Sequence, residues 1–474
     1  MFKDIEFGMA AAENEKSFKP HLLLEGFLDT YGYINEIRDG HKFLVLGPKG
    51  SGKSAIGSKL ELLSKQENDL NVTTYFLQDF PYSSFSGIVT GSEAPEIKYT
   101  NTWEFLILTA LINSVTSKGK YKCSGGANIG DLIKILRTLG LIPNEDLSMI
   151  VKKATKKEFR VGISNSWIGY SSESEKSTPN ITNLLNYLKN VCYSLETNVK
   201  HLIIIDGLDD VLTKRDKQYQ SLSTLILAVN RINNKFRENK VDAKIIVLCR
   251  TDLFERLSGP NKNKIRQDFS IILDWYQDVK DVGETNLVKL INLRSKNSLG
   301  REVDISKNLL PTSIRNRDPT IKTLLENTRH TPRDTIQLLN KVQQFTRSER
   351  ATKNDVNNGL RVYSLEYLIP EIKDELDGLL STEEINLTIE LLTFMKKRRF
   401  TFEDLQRKKN SDARFEPLTL SSIISTLFEY NIIGNISSDR DYVSWKYRNQ
   451  YAVFNPNDDI IIHAGLCKGL NIPL

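Results

Sequence analysis

An apolar run, Phe43-Leu-Val-Leu46, passes directly into Gly47-Pro-Lys-Gly-Ser-Gly-Lys-Ser54, a stretch of the form G-x-x-x-x-G-K-S. The run reads as a buried strand, and Lys53 to Leu63 reads as the helix that follows it. A loop in that position suits a polyphosphate, which needs several backbone N–H groups brought close to concentrated negative charge. Gly47, Gly50 and Gly52 permit the approach because they have no Cβ and tolerate positive φ. The helix adds the positive end of its dipole. Lys53 can reach the β- and γ-phosphates, and the Ser54 hydroxyl can ligate Mg²⁺. Ser51 and Ala55, in the loop and the first helical turn, are counted with them. The sequence implies a nucleotide-binding chain.

At 474 residues the chain suggests two or three domains. It is 39% hydrophobic and 26% charged, an ordinary globular balance. No stretch reaches the ~18 apolar residues of a membrane span, and Met1-Phe-Lys-Asp-Ile-Glu6 does not read as a secretory leader. Cys123, Cys192, Cys249 and Cys467 are scattered without a C-x-x-C pair, so a reduced, cytoplasmic protein without structural zinc is expected. A net charge of +6 permits nucleic-acid binding without requiring it.

Residues 1–40 read as helical and lead toward the core. Val72 to Leu77 reads as a strand, 79–100 as a Ser/Gly/Pro-rich loop, and Trp103 to Val115 as a helix. Residues 116–180 are irregular, with helical patterns near 129–139 and 144–157. They look like an insertion, either partner-facing or a solvated elaboration. A helix over 179–197 then precedes the strand His201 to Ile205. A helix over 220–238 precedes Lys244 to Cys249, and Phe269 to Leu273 closes the strand set. Apolar runs without alternation fit strands of a parallel sheet covered on both faces. From 283 to 370 the pattern is almost wholly helical.

Three further motifs carry chemistry. In His201-Leu-Ile-Ile-Ile-Asp206-Gly-Leu-Asp209-Asp210 a buried strand ends in an acid, roughly 150 residues after the loop, as a Walker B element does. Asp206 would hold Mg²⁺ opposite Ser54, and Asp209 or Asp210 would polarise the attacking water. That extra acid favours hydrolysis over transfer to another acceptor. Cys249-Arg250-Thr251-Asp252 ends the next strand, where Arg250 could sense the γ-phosphate with Thr251 beside it. The same residues also fit an ordinary helix N-cap. Arg329-His330-Thr331-Pro332-Arg333-Asp334 opens a helix with Pro332 in its first turn. Arg333 would project from that turn as a contact to phosphate or as a plain surface residue.

Together these motifs resemble the AAA+/STAND branch of P-loop ATPases. Asp206-Gly-Leu-Asp-Asp210 is similar to the NACHT-type Walker B. More narrowly, Phe7-Gly8, Ala12-Glu13 and Lys49-Gly-Ser-Gly-Lys-Ser-Ala55 resemble a group of bacterial P-loop ATPases of poorly defined role. The resemblance covers about residues 1–370. It implies an α/β core whose parallel sheet has the order 5-1-4-3-2, a helical lid, ATP and Mg²⁺ as cofactors, and a nucleotide-controlled switch. Several such groups serve in defence against phage. His330 stands where the STAND lid has Gly, which puts an adenine-side contact of Pro332 in doubt. Arg256 and Arg266 lie where an arginine finger could, without a specific signature.

Ser381-Thr-Glu-Glu384 opens a helix with a capping box. A second helix starts at Arg399, a third spans Leu418 to Tyr430, and a hairpin pairs Ile432–Ile436 with Tyr442–Tyr447. That order reads as a winged helix. Its third helix has no Lys or Arg, so a regulatory or protein-facing role is weighted above DNA reading. The expected domains are therefore 1–282, an ATPase core with the insertion at about 116–180; 283–375, a helical lid; and 376–474, a winged helix. The expected function is an ATP-hydrolysing switch acting as a homo-oligomer or with a separate effector protein, with no membrane partner. One alternative is a DNA-acting AAA+ ATPase of origin-recognition or transposition-regulator type. The other is a nucleotide-stabilised scaffold that hardly turns over.

Overall fold

The structure is a computed structural model, and it describes residues 1–473 except 79, 86–87, 89–93, 125–126, 145, 157–180, 209–215, 260, 315–317 and 438–441. By internal contacts the chain divides into two units. One comprises Tyr31–Pro48 and Lys53–Leu273; the other comprises Met1–Thr30, Lys49–Gly52 and Asp274–Leu474. The boundary near 273 lies close to the one expected at 282. The first thirty residues, however, group with the C-terminal unit. The reason is apolar: Phe2, Ile5 and Phe7 are buried in that unit's core, and Arg294 pairs there with Glu15 at 2.9 Å.

The strands in chain order are β1 (Leu44–Gly47), β2 (Leu70–Phe76), β3 (Tyr121–Cys123), β4 (Leu195–Thr197), β5 (Lys200–Asp206), β6 (Ala243–Arg250) and β7 (Ser270–Ile272). Five of them form a parallel sheet in the order β2-β5-β6-β1-β7. Counted from the β7 edge, these are the fifth, first, fourth, third and second strands of the sheet. β1 is buried throughout, and β5 and β6 nearly so, which is why their sequences are unbroken Val/Ile/Leu runs. Asn233 pins the helix Asp216–Glu238 to the sheet, donating to the Ile245 carbonyl and accepting its N–H, both at 2.9 Å.

Two expectations change here. The stretch expected as loop contains the start of the helix Pro95–Ser117, because Pro95 with its preset φ opens it. The segment expected as a surface insertion is partly core. Its helices Ile129–Thr138 and Leu147–Ala154 bury Leu132, Leu136, Ile150 and Val151, and β3 pairs antiparallel with β4 to bracket them. Residues 157–180 lie outside the described residues.

The other unit is mainly helical. Pro332–Phe345 and Lys353–Tyr363 pack so closely that a Cβ on Gly359 would fall 2.6 Å from the Val342 Cα, so only glycine fits. The chain continues through a π-helical stretch, Ser364–Leu368, into Ile369–Leu376. Then follow Thr382–Phe394, opened by the Ser381/Glu384 capping box, then Phe402–Asn410 and Leu420–Glu429. A four-stranded antiparallel sheet completes the unit in the order β10 (Val443–Ser444), β9 (Ile433–Ile436), β11 (Asp459–Ile462), β8 (Arg399–Phe400). Arg399 is thus a strand residue rather than the start of the second helix. Thr401 caps that helix through the N–H of Asp404, so it can begin only at Phe402.

Candidate phosphate-binding site

The sheet brings its chemistry to one edge. β1 ends at Gly47, whose register partner on β6 is Arg250, and β5 ends beside them at Asp206. Two of the three loop glycines use positive φ: Gly50 at +78° and Gly52 at +97°. Gly47 does not; it is the last residue of the strand, and its expected left-handed conformation is corrected accordingly.

Lys53 opens the helix Lys53–Gln66 and is only 7% exposed. Its Nζ donates to the carbonyls of Gly47 (3.1 Å) and Pro48 (3.0 Å), which holds the ammonium against the loop. Ser54 and Ala55 follow half-buried in the first turn. Asp206 is 8% exposed, and its Oδ1 accepts the N–H of Gly207 at 2.7 Å. Asp209 and Asp210 lie outside the described residues.

Arg250 is buried and bound in both arms to Asp252, Nε to Oδ1 at 2.9 Å and Nη2 to Oδ2 at 2.8 Å. Burial alone would raise the Asp252 carboxyl. The charge and hydrogen bonds of Arg250, then the charges of Arg256 and Lys53, hold it below the usual carboxylate range. The helix Thr251–Arg256 has Arg250 at its N-cap and no side-chain cap, so the expected capping by Thr251 or Asp252 is not what is found. Thr251 Oγ1 is instead buried, without a hydrogen-bond partner among the described residues. Arg266 is paired with Glu255.

Lys49–Gly52 group with the helical unit, and the lid motif meets them there. Pro332 is in the first turn of its helix, and Thr331 caps it by accepting the N–H of Asp334. The Arg333 backbone N–H donates to the Gly50 carbonyl at 3.3 Å. A Cβ on Gly50 would lie 3.1 Å from the Arg333 Cβ, so this close approach favours glycine. The Arg333 guanidinium lies 3.3 Å from Glu371, and Lys49 Nζ is 3.0 Å from the same carboxylate. Trp275 Nε1 donates to the Ser51 carbonyl at 2.8 Å. Ser51 Oγ is buried, with no partner among the described residues.

Sequence reasoning missed Lys49, Trp275 and Glu371. Lys49 is an unspecified position of the loop motif, and the other two lie more than two hundred residues away in the chain, where no spacing rule reaches.

Gly50 and Gly52 at positive φ, with the Ser51 hydroxyl buried and without a partner among the described residues, fit a group rich in acceptor oxygens. A hydroxyl at Ser54 and a carboxylate at Asp206 are hard oxygen donors of the kind Mg²⁺ takes alongside water and phosphate.

Residues 285–369 match the family described as the FunZ-associated C-terminal helical domain. A curated relative from Escherichia coli K12, the "Putative transposon gamma-delta 80.3 kDa protein", is 23% identical over 521 aligned positions. They take in 99% of this chain and 67% of that protein. The solved structure of Cdc6p from Pyrobaculum aerophilum aligns over 98% of this chain and 97% of its own. Its identity is 13% and its TM-score 0.30, a likeness too slight to carry an argument. Among the described residues no helix is long and apolar enough to cross a membrane.

Proposed function

We propose that this chain binds ATP with Mg²⁺ at residues 47–55 and hydrolyses it as a nucleotide-controlled switch of AAA+ type. The observation that carries the reading is the G-x-x-x-x-G-K-S loop itself, set between a buried central strand and a helix, with Gly50 and Gly52 at positive φ. When bound, Mg²⁺ would neutralise phosphate charge, held by Ser54 and, through water, by Asp206. Lys53 would move from its loop carbonyls to the β- and γ-phosphates. Asp209 or Asp210 would polarise water, and Arg250, Thr251, Pro332 and Arg333 would register the state of the nucleotide.

Residues 381–462 we read as a winged helix, on the three helices and the small sheet. Its third helix exposes Ser421, Ser422, Ser425 and Glu429 and no cation, which supports a protein-facing, regulatory role. We place the protein in the cytoplasm, working as a homo-oligomer or with a separately encoded effector. Phage defence follows from the family resemblance alone.

A second reading has one observation in its favour: a relative named for a transposon, matched over 99% of this chain and 67% of its own length. On that reading the ATPase acts on DNA, and the basic runs Lys396–Arg399 and Arg407–Lys409 meet phosphates.

Thermal unfolding with Mg·ATP and Mg·ADP, followed by phosphate release with and without duplex DNA, tests both. Nucleotide should raise the midpoint in the parent chain and not in Lys53→Ala; equal stabilisation of the two sinks the site. DNA that neither binds nor alters turnover sinks the second reading.

A further inference from the structure

The crown of the loop, Lys49–Gly52, groups by contacts with Asp274–Leu474, and three groups of that unit hold it in succession. Glu371 takes Lys49, the Arg333 N–H takes the Gly50 carbonyl, and the Trp275 indole N–H takes the Ser51 carbonyl. The last two contacts have a geometric consequence. A trans peptide is planar, and its C=O and the N–H of the next residue point in opposite directions. Fixing the Gly50 carbonyl on Arg333 therefore turns the Ser51 N–H the other way. Fixing the Ser51 carbonyl on Trp275 does the same for the Gly52 N–H.

We propose that Trp275, through its indole N–H, and Arg333, through its backbone N–H rather than its guanidinium, are positioning residues for the phosphate-binding loop. They cap the outward carbonyls of Gly50 and Ser51, so that the amides of Ser51 and Gly52 face the phosphates. The inference rests on the nucleotide-binding reading above and deepens it. Glycines at 50 and 52 make the loop free to rotate its peptides. A rotated peptide would present a carbonyl, not an N–H, to an anion. The loop motif supplies the flexibility, and the two donors select one orientation from it. Loop amides of this kind serve the α- and β-phosphates, so ADP and ATP depend on them alike.

The test compares Trp275→Phe, Arg333→Pro and Arg333→Ala in the full chain, by calorimetric titration with Mg·ADP and Mg·ATP and by steady-state hydrolysis. Phenylalanine keeps the ring and loses the donor. Proline at 333 loses the N–H in a first turn that does not need it, and alanine loses only the guanidinium. Trp275→Phe and Arg333→Pro should each weaken ADP and ATP by the same factor, roughly three- to tenfold, the worth of one neutral hydrogen bond. KM should rise with kcat within about twofold, since the contact serves ground and transition states equally. Arg333→Ala should leave ADP affinity closer to the parent than Arg333→Pro does. If the parent binds ADP and both donor-deleting variants bind it as tightly, the positioning role is overturned while the nucleotide site stands. Arg333→Ala as weak as Arg333→Pro overturns it for Arg333. A parent that binds neither nucleotide overturns the site and this inference together. Where one variant fails to fold, the other decides.

Discussion

Asp334 receives both arms of Arg329, Nε on Oδ2 at 2.8 Å and Nη2 on Oδ1 at 2.9 Å, five residues apart in the motif that opens the helix Pro332–Phe345. Both side chains are buried, Arg329 at 8% and Asp334 at 1% exposure. Arg329 Nη1 also donates to Glu375 at 2.8 Å, and the Tyr367 hydroxyl donates to Asp334 at 2.9 Å. Burial would raise the Asp334 carboxyl, but the Arg329 charge and hydrogen bonds, with Tyr367, hold it at about 2. The motif's buried ion pair thus ties the turn before Pro332 to the helix Ile369–Leu376.

Removing Arg329 leaves the buried carboxylates of Asp334 and Glu375 without its guanidinium, and removing Asp334 leaves Arg329 with Glu375 in place of two buried carboxylates. Arg329→Ala and Asp334→Ala should each cost about 3–5 kcal/mol in chemical denaturation. Arg333→Ala, four residues on and 30% exposed, should cost under about 1 kcal/mol. A loss below about 1 kcal/mol for Asp334→Ala would mean that the pair is not closed in solution.

Stability should fall on mild acidification. Burial lowers His201, with the Lys118 charge, to about 4; His330, with the Arg448 charge, to about 4; and His463, with the charges of Arg398 and Arg329, to about 3. Depressed imidazoles bind fewer protons folded than unfolded. Their contribution is whole above the ordinary value of 6.5 and is lost as pH falls from there toward 4. At most, His201 and His330 each contribute about 3 kcal/mol and His463 about 5 kcal/mol. The His330 ring is tilted 31° to that of Tyr447, with centroids 4.9 Å apart, and meets Tyr276 edge-on at 5.2 Å, while its backbone sits at φ +53°. His330→Asn keeps a residue tolerant of that φ and removes the imidazole. The denaturation midpoint should be lower at pH 5 than at pH 7, by less in the variant. Equal parent midpoints at the two pH values would refute the buried, neutral state.

What the sequence disclosed follows the range of its signals. β1, β5 and β6 are long apolar runs, and the loop after β1 has a fixed spacing, so these were legible. β8 and β10 have two residues each, and β3 and β4 three, too short to register as alternation. Residues 1–40 read only as helical and leading toward the core; packing alone assigns Phe2, Ile5 and Phe7 to the helical unit. The lid motif was noticed for Arg333, the residue whose type suggests chemistry. Arg329 and Asp334, the pair that shapes the turn, are told apart from it only by burial. Trp275 and Glu371 act on the loop across long chain separations, which no local pattern encodes.

Arg250 should be coupled to Asp252 before it is available to any nucleotide. A cycle of Arg250→Ala, Asp252→Ala and the double variant should give a coupling energy of about 1.5–3 kcal/mol, the worth of hydrogen bonds to a charged partner. If Arg250 also senses the γ-phosphate, Arg250→Ala will narrow the gap between ATP and ADP affinities while Asp252→Ala widens or preserves it. Identical effects of the two variants on that gap would leave Arg250 a structural partner only.

Asp206 and the two acids after it should separate in a turnover assay. Asp206 ends a buried strand, and its Oδ1 accepts the Gly207 N–H. On the proposed reading Asp206→Asn removes a charge that would hold Mg²⁺, and it should weaken Mg-dependent ATP affinity as well as slowing hydrolysis. Asp209→Asn or Asp210→Asn should leave ATP affinity within about twofold and lower kcat by roughly 10²- to 10⁴-fold, the usual yield of a positioned base. The split lies between binding and rate, so calorimetric affinity and single-turnover phosphate release must be measured on the same preparations. If all three variants lose affinity and rate in parallel, the acids form one metal-holding group. If neither Asp209→Asn nor Asp210→Asn slows release, both are structural and the water must be activated elsewhere.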